Sequence, residues 1–167
     1  MVEAIDEGIL VVFSAGNCGA AGPDKRCESD SGAGRGIWGA NGHPRVMTVG
    51  AVNVADEFVC YSSIGPAALA QDKPDFCAPT HFSGYFPEHD REFREASDTG
   101  TSASTAIIAG VLALLKQRSP TLVQDQAKSV LMRTAKNIGP PGFDRFTGAG
   151  SVRAKAAWDA LAHDTDP

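Results

Sequence analysis

No stretch of this sequence is apolar for long enough to cross a bilayer. The longest, Ala106 to Leu115, covers ten residues and includes Gly110, where about 20 are needed. Basic residues are few and scattered: 15 Lys and Arg against 20 Asp and Glu leave a net charge of −5, with no cationic stripe to follow a phosphate backbone. Neither a membrane nor a nucleic acid is therefore expected as a partner. No two cysteines or histidines stand at the short spacing of a zinc site, and no cofactor is expected. Internal repeats, heptads and low-complexity tracts are also missing, which excludes solenoids and coiled coils.

What the chain does have is small-residue turns beside short apolar runs. Residues 100–110 read GTSASTAIIAG, a turn that presents Ser102 and passes directly into an apolar segment. Such a turn sets a hydroxyl at a helix N-terminus, among amides without helical partners and at the positive end of the helix dipole. An oxyanion forming beside Ser102 would be stabilised there. Ile9 to Phe13 is β-branched and continuously apolar, the pattern of a buried strand, and it delivers Ser14, Ala15, Gly16 and Asn17 at its C-terminal end. Ligands of open α/β sheets bind at that end. An Asn amide donates hydrogen bonds without charge, which suits Asn17 to hold the oxygen of a tetrahedral intermediate. Taken singly, the serine also reads as an N-cap and the asparagine as a turn residue.

Together these motifs resemble the subtilisin-like serine proteases, the subtilases. The likeness continues through GHPRVMTVGAVN as the next parallel strand, YSSIGP and KPDFCAP as later strands, and FTGAGSVRAKAA as a closing segment. It implies an α/β fold, a parallel sheet sandwiched by helices, with residues 1–167 forming the C-terminal portion of one catalytic domain. It also implies a serine endopeptidase that passes through an acyl-enzyme on Ser102, with Asn17 and the Ser102 amide as oxyanion donors and with Ala15 and Gly16 along the substrate pocket. A polypeptide is the implied substrate. After the serine turn the family usually has Pro then His, where this chain has Ala106 and Ile107. Both lie inside the helix rather than at the hydroxyl.

A serine needs a base to take its proton, and in subtilases that base is a His oriented by an Asp, both contributed before the segment present here. His43 precedes Pro44, His81 and His89 flank an aromatic and acidic stretch, and His163 lies in the C-terminal tail; none has the family's catalytic setting. The resemblance therefore implies an inactive half-domain. Its partner would be the N-terminal half or a second copy, covering a sheet edge at Ile9–Phe13. A non-catalytic relative remains an alternative. An esterase is a weaker one, because Gly100 to Ser104 lacks the second glycine of G-x-S-x-G.

Cys18 and Cys27 bracket a Gly, Pro and Asp-rich loop beside Asn17, which a disulfide would rigidify. Cys60 and Cys77 lie next to strand-like segments and read as buried thiols or as a second pair. Disulfides would fit an extracellular or cell-envelope protein. A helix is expected over Val2–Glu7, and another, buried all round, over Ala103–Leu115 and stopped by Pro120. Thr121 with Gln124 suggests a capping box for a third, ended by Gly139-Pro140-Pro141, and Ser151 a cap for a last helix carrying Trp158 and Leu161. The segments Gly19–Gly36 and Phe82–Ser97 read either as cleft-shaping loops or as remote insertions.

Overall fold

A computed structural model describes residues 1–84 and 96–163. Helix α1 (Val2–Asp6) ends before Gly8, which takes φ +82°. The strand expected over Ile9–Phe13 is shorter and displaced: β1 spans Val12–Ser14 and is half-buried throughout, while Ile9 is 54 % exposed. Burial is incomplete because, among the described residues, β1 has a strand neighbour on one side only. It pairs in parallel with β2 (Met47–Val52), which pairs in parallel with β3 (Phe76–Pro79), in the order β1-β2-β3. The YSSIGP segment is not a strand; it forms a loop between β2 and β3. A short antiparallel hairpin, β4 (Phe82–Gly84) with β5 (Ala96–Asp98), precedes the serine turn. Most of the aromatic and acidic stretch, including His89, falls at 85–95, outside the described residues.

Helix α2 (Gly100–Arg118) crosses all three strands. Alanine and leucine favour it, Lys116 and Arg118 complement the dipole in its last turn, and it stops at Ser119, before Pro120. It is not buried all round. Ile108, Leu112 and Leu115 pack on Met47, Val49, Phe76 and Ala78, each burial contributing about 1.5–3 kcal/mol. The opposite side is exposed at Ser102, Ala106, Ala109, Gly110, Ala113 and Leu114. Helices α3 (Gln124–Arg133) and α4 (Ala154–His163) complete the same core through Leu131 and Ala157. The other side of the sheet, at Thr48 and Gly50, meets loops: Thr48 Oγ1 donates to Asn41 O (2.5 Å), and a Cβ on Gly50 would lie 3.3 Å from Ser62 Oγ.

Two expected helix starts are corrected. Thr121 does not cap α3. The N-cap is Val123, whose N–H donates to Gln126 Oε1 (3.2 Å). Gln124 instead spans the point where β1 and β2 diverge: its Oε1 accepts from Val11 N (2.8 Å), and its Nε2 donates to Val11 O (2.8 Å) and Arg45 O (2.9 Å). Three hydrogen bonds to part-buried strand-end backbone groups, one of them the Val11 amide, outweigh an exposed local cap. Helix α3 also ends at Arg133, ahead of Gly139. Ser151 lies outside α4, and its amide and carbonyl both bond to Lys136.

The N-terminal end of the sheet holds a buried charge cluster. Lys73, fully buried, donates from Nζ to Val46 O (2.6 Å), Thr48 Oγ1 (2.8 Å) and Asp75 Oδ2 (2.7 Å). Asp75 Oδ2 also accepts from Thr48 N (2.7 Å), and Lys128 of α3 reaches Oδ1 at 2.6 Å. Burial pushes the Lys73 ammonium down to about 8, against the pull of Asp75.

Candidate active site

At its other end the sheet delivers a loop. Ala15 N–H still donates to Val49 O (2.8 Å), after which Gly16 turns the chain at φ +100°. A Cβ on Gly16 would come within 2.9 Å of Ser63 Oγ and 3.0 Å of Gly36 O, so only glycine fits the turn. Asn17 follows. Its carbonyl accepts from Asp24 N (2.8 Å), Cys18 N donates to Ser63 Oγ (3.0 Å), and Gly19 N donates to Tyr61 O (2.8 Å). Cys18 and Cys27 form a disulfide that closes this loop. Cys77 is a buried free thiol, whereas Cys60 is free and exposed, against the expectation of burial or pairing.

The serine turn meets this loop directly. Thr101 N and Thr101 Oγ1 both donate to Asn17 Oδ1 at 2.9 Å, and Gly16 N donates to Thr101 Oγ1 at 3.2 Å across 85 positions of sequence. Because a backbone amide can only donate, the Asn17 atom facing Thr101 is its oxygen. Nδ2 therefore points the other way, 3.1 Å from where a Cβ on Gly100 would stand, and makes no hydrogen bond to any described residue. Gly100, at φ +88°, both permits the turn and leaves that amide uncovered.

The first amides of α2 are accounted for one by one. Gly100 N donates to Tyr61 Oη (2.9 Å) and Thr101 N to Asn17 Oδ1. The N-cap, Thr99, makes no side-chain cap bond. Ser102, the next residue, is exposed, and neither its N–H nor its hydroxyl bonds to a described residue. The unpaired amide and hydroxyl of Ser102 thus follow directly on Thr101, the residue that Asn17 binds through its oxygen. Gly16 is accessible beside them. Ala15 is fully buried, packed with Ile37 and Ala67, so its side chain faces the interior of the fold.

No described histidine bonds to Ser102. His43, half-buried, accepts from Arg45 N at Nδ1 (3.2 Å), and His81 is exposed with Nε2 3.3 Å from Tyr61 Oη. His163 is the last residue of α4. Among the described residues no group of three His, Cys, Asp or Glu is arranged to hold a metal ion, and no helix is long and apolar enough to cross a membrane.

Residues 1–150 match the family model described as the subtilase family. The chain belongs to the subtilase family. It is 30 % identical to the serine protease AprX of Bacillus subtilis (strain 168), over 93 % of this chain and 37 % of that protein. With subtilisin Savinase of Lederbergia lenta it shares 31 % identity, over 93 % of this chain and 48 % of that protein. The fold is similar to that in the crystal structure of a lanthipeptide protease, with a TM-score of 0.69 at 22 % identity, covering 95 % of this subtilase chain and 52 % of the other. The chain thus spans about half, or less, of the length of these relatives.

Sequence reasoning missed Tyr61 and the Lys73–Asp75 pair, and it gave Gln124 a capping role in place of its bonds to Val11 and Arg45. Each acts across a long stretch of chain, and no local pattern announces it.

Proposed function

We propose that this chain supplies the nucleophile and the oxyanion donors of a serine endopeptidase, and that the general base and its orienting carboxylate come from an N-terminal portion of the same domain. What supports this most is the helix N-terminus. Two of its free amides are satisfied by Tyr61 and Asn17, and the third, on Ser102, is left open beside Asn17 Nδ2. In the reaction the base takes the Ser102 proton, and Oγ attacks a peptide carbonyl. The carbonyl oxygen gains the charge and is held by Asn17 Nδ2 and the Ser102 amide. Collapse expels the amine and leaves an acyl-enzyme, which water then hydrolyses. Gly16 lines the substrate channel, with Ala15 supporting it from behind.

The same reading assigns a partner to the open side of the sheet. Met47 N donates to Val11 O (3.3 Å) and Ala15 N to Val49 O, so the parallel register turns Val12 and Ser14 away from β2. Asn41 Nδ2 takes the Ser14 carbonyl (2.8 Å), while the Val12 amide and carbonyl face the open edge. Beside that edge runs an apolar groove of about 300 Å³ lined by Ile9, Leu10, Val12, Ala109, Leu112 and Ala113. An N-terminal half of the domain, or a second copy, would cover it, since unpaired apolar edges associate. The disulfide beside Asn17 favours an oxidising, extracellular or envelope location.

One observation favours a non-catalytic relative instead: the Ser102 hydroxyl has no hydrogen-bonded base among the described residues. A fluorophosphonate probe separates the two readings. The chain alone is expected to stay unlabelled. Supplied with the N-terminal portion of a subtilase domain, it should label at Ser102 and hydrolyse peptides, and Ser102→Ala should lower the rate by on the order of 10⁴–10⁶. Rapid labelling of the chain alone would place a base within it, and no labelling after complementation would favour the binding module.

A further inference from the structure

Tyr61 belongs to the loop between β2 and β3 and is anchored by Gly19 N donating to its carbonyl (2.8 Å). Its ring stands edge-on to His81, with centroids 5.7 Å apart. The hydroxyl reaches out of this loop to the first amide of α2, accepting from Gly100 N at 2.9 Å. An N-cap side chain reaches the second or third amide of a helix and not the first, so the Gly100 amide needs an acceptor from elsewhere in the fold, and Thr99 makes no cap bond of its own. Gly100 is held from both sides, because Thr80 Oγ1 donates to Gly100 O at 3.0 Å and itself lies 3.4 Å from Tyr61 Oη. Gly100 is also buried and in the left-handed region, where the backbone depends on its surroundings to stay put.

We propose that Tyr61 is a positioning residue for Ser102. Its phenolic oxygen takes the Gly100 amide and thereby fixes the direction of the next two peptides, so that Asn17 meets Thr101 and the Ser102 amide is left for a substrate oxygen. The proposal rests on the peptidase reading above and adds a residue that acts on Ser102 through the Gly100 peptide. Without the hydroxyl, the Gly100 amide is buried and unpaired, and it competes for the oxygen of Asn17 or of the substrate. The donors then lose their alignment with the developing charge, where small misplacements are costly, while ground-state binding along the cleft is left as it was.

The test is Tyr61→Phe, which keeps the ring and its contact with His81, in the chain complemented by the N-terminal portion of the domain. Rates are normalised to sites titrated by a fluorophosphonate, so that partial unfolding does not count. Expected is a fall in kcat of about tenfold, with KM within twofold of the parent, and faster hydrogen exchange of the Gly100 amide by NMR. Thr80→Val, acting on the Gly100 carbonyl, should lower kcat about threefold and serves if Tyr61→Phe does not fold. An unchanged kcat per titrated site in either folded variant overturns the proposal. If the parent hydrolyses no peptide, the peptidase reading fails; Gly100 exchange in Tyr61→Phe still decides whether Tyr61 holds the turn, and unchanged exchange overturns it.

Discussion

The two ends of the three-stranded sheet are built on opposite terms. At the N-terminal end, Lys73, Thr48 and Asp75 are 0–1 % exposed, and their side-chain polar atoms are all engaged, with Lys128 and Gln124 tying α3 to the strands. At the C-terminal end, the Gly16 and Gly100 amides are taken by Thr101 and Tyr61, while Asn17 Nδ2 and the amide and hydroxyl of exposed Ser102 are left unpaired by the described residues. A buried unpaired polar group is costly, so the first end has to be complete. The second end is half-exposed, where water can satisfy what the protein does not, and donors can therefore be kept free for a ligand. One end maintains the strand register that aims the other.

If this contrast holds, the largest loss of stability comes from breaking the closed end. Asp75→Asn leaves Lys73 buried without its counter-ion, and removing one partner of a buried pair costs about 3–5 kcal/mol. Denaturant unfolding should show most of the stability lost; a change under 1 kcal/mol would mean that water reaches the cluster.

Asn17→Asp cuts the open end without loosening it. The oxygen that accepts from Thr101 is retained and the donor is lost, so kcat of the complemented domain should fall by on the order of 10²–10³ with little change in melting temperature. Equal losses in both would place Asn17 with the structural end instead.

The closed end also predicts a pH signature. Lys73 is held at about 8 when folded, below its usual value of about 10.4. Between these values the unfolded chain binds more protons, so this group's contribution to stability rises with pH across that window and is flat above and below it. The stability difference between the wild type and Lys73→Met should increase by about 1–3 kcal/mol from pH 8 to 10.5, measured by urea unfolding at each pH. A flat difference would mean that Asp75 fully offsets the burial of the ammonium.

The smallest effect separates the open face of α2 from both ends. A Cβ on Gly110 meets nothing within 4 Å, so Gly110→Ala should stabilise the isolated chain by about 0.5–1 kcal/mol through helix propensity. If an N-terminal half packs on this face, the same change should weaken complementation in a titration of that half. Equal affinity for both forms would argue that the face stays open.

Much of the candidate site was legible because its pieces are local. GTSAS and SAGN each lie on one turn beside one apolar run, and a turn's residues largely dictate its shape. The start of α2 near Ser102 followed from the same patterns, while the α/β class and a parallel strand after β1 came with the family resemblance that those patterns carry. Errors arose where a local signal competed with a distant one. Thr121 and Ser151 have the chemistry of caps, yet Gln124 was drawn to the ends of β1 and β2 and Ser151 to Lys136. Likewise the ten apolar residues among the thirteen of Ala103–Leu115 do not tell a helix buried all round from one with an open alanine face.

By itself, then, the sequence determined which residues are candidates for chemistry and which turns present them, since both depend on neighbours within a few positions. Only the tertiary structure decided which donors are taken and which are left free. That depends on groups 39 and 84 positions away, Tyr61 on Gly100 and Asn17 on Thr101, and on a strand edge whose exposure is set by what packs beside it. Hydrogen bonds across such distances exist only once the chain has closed, because closure is what brings a donor and an acceptor within 3 Å and removes the water that would otherwise satisfy them.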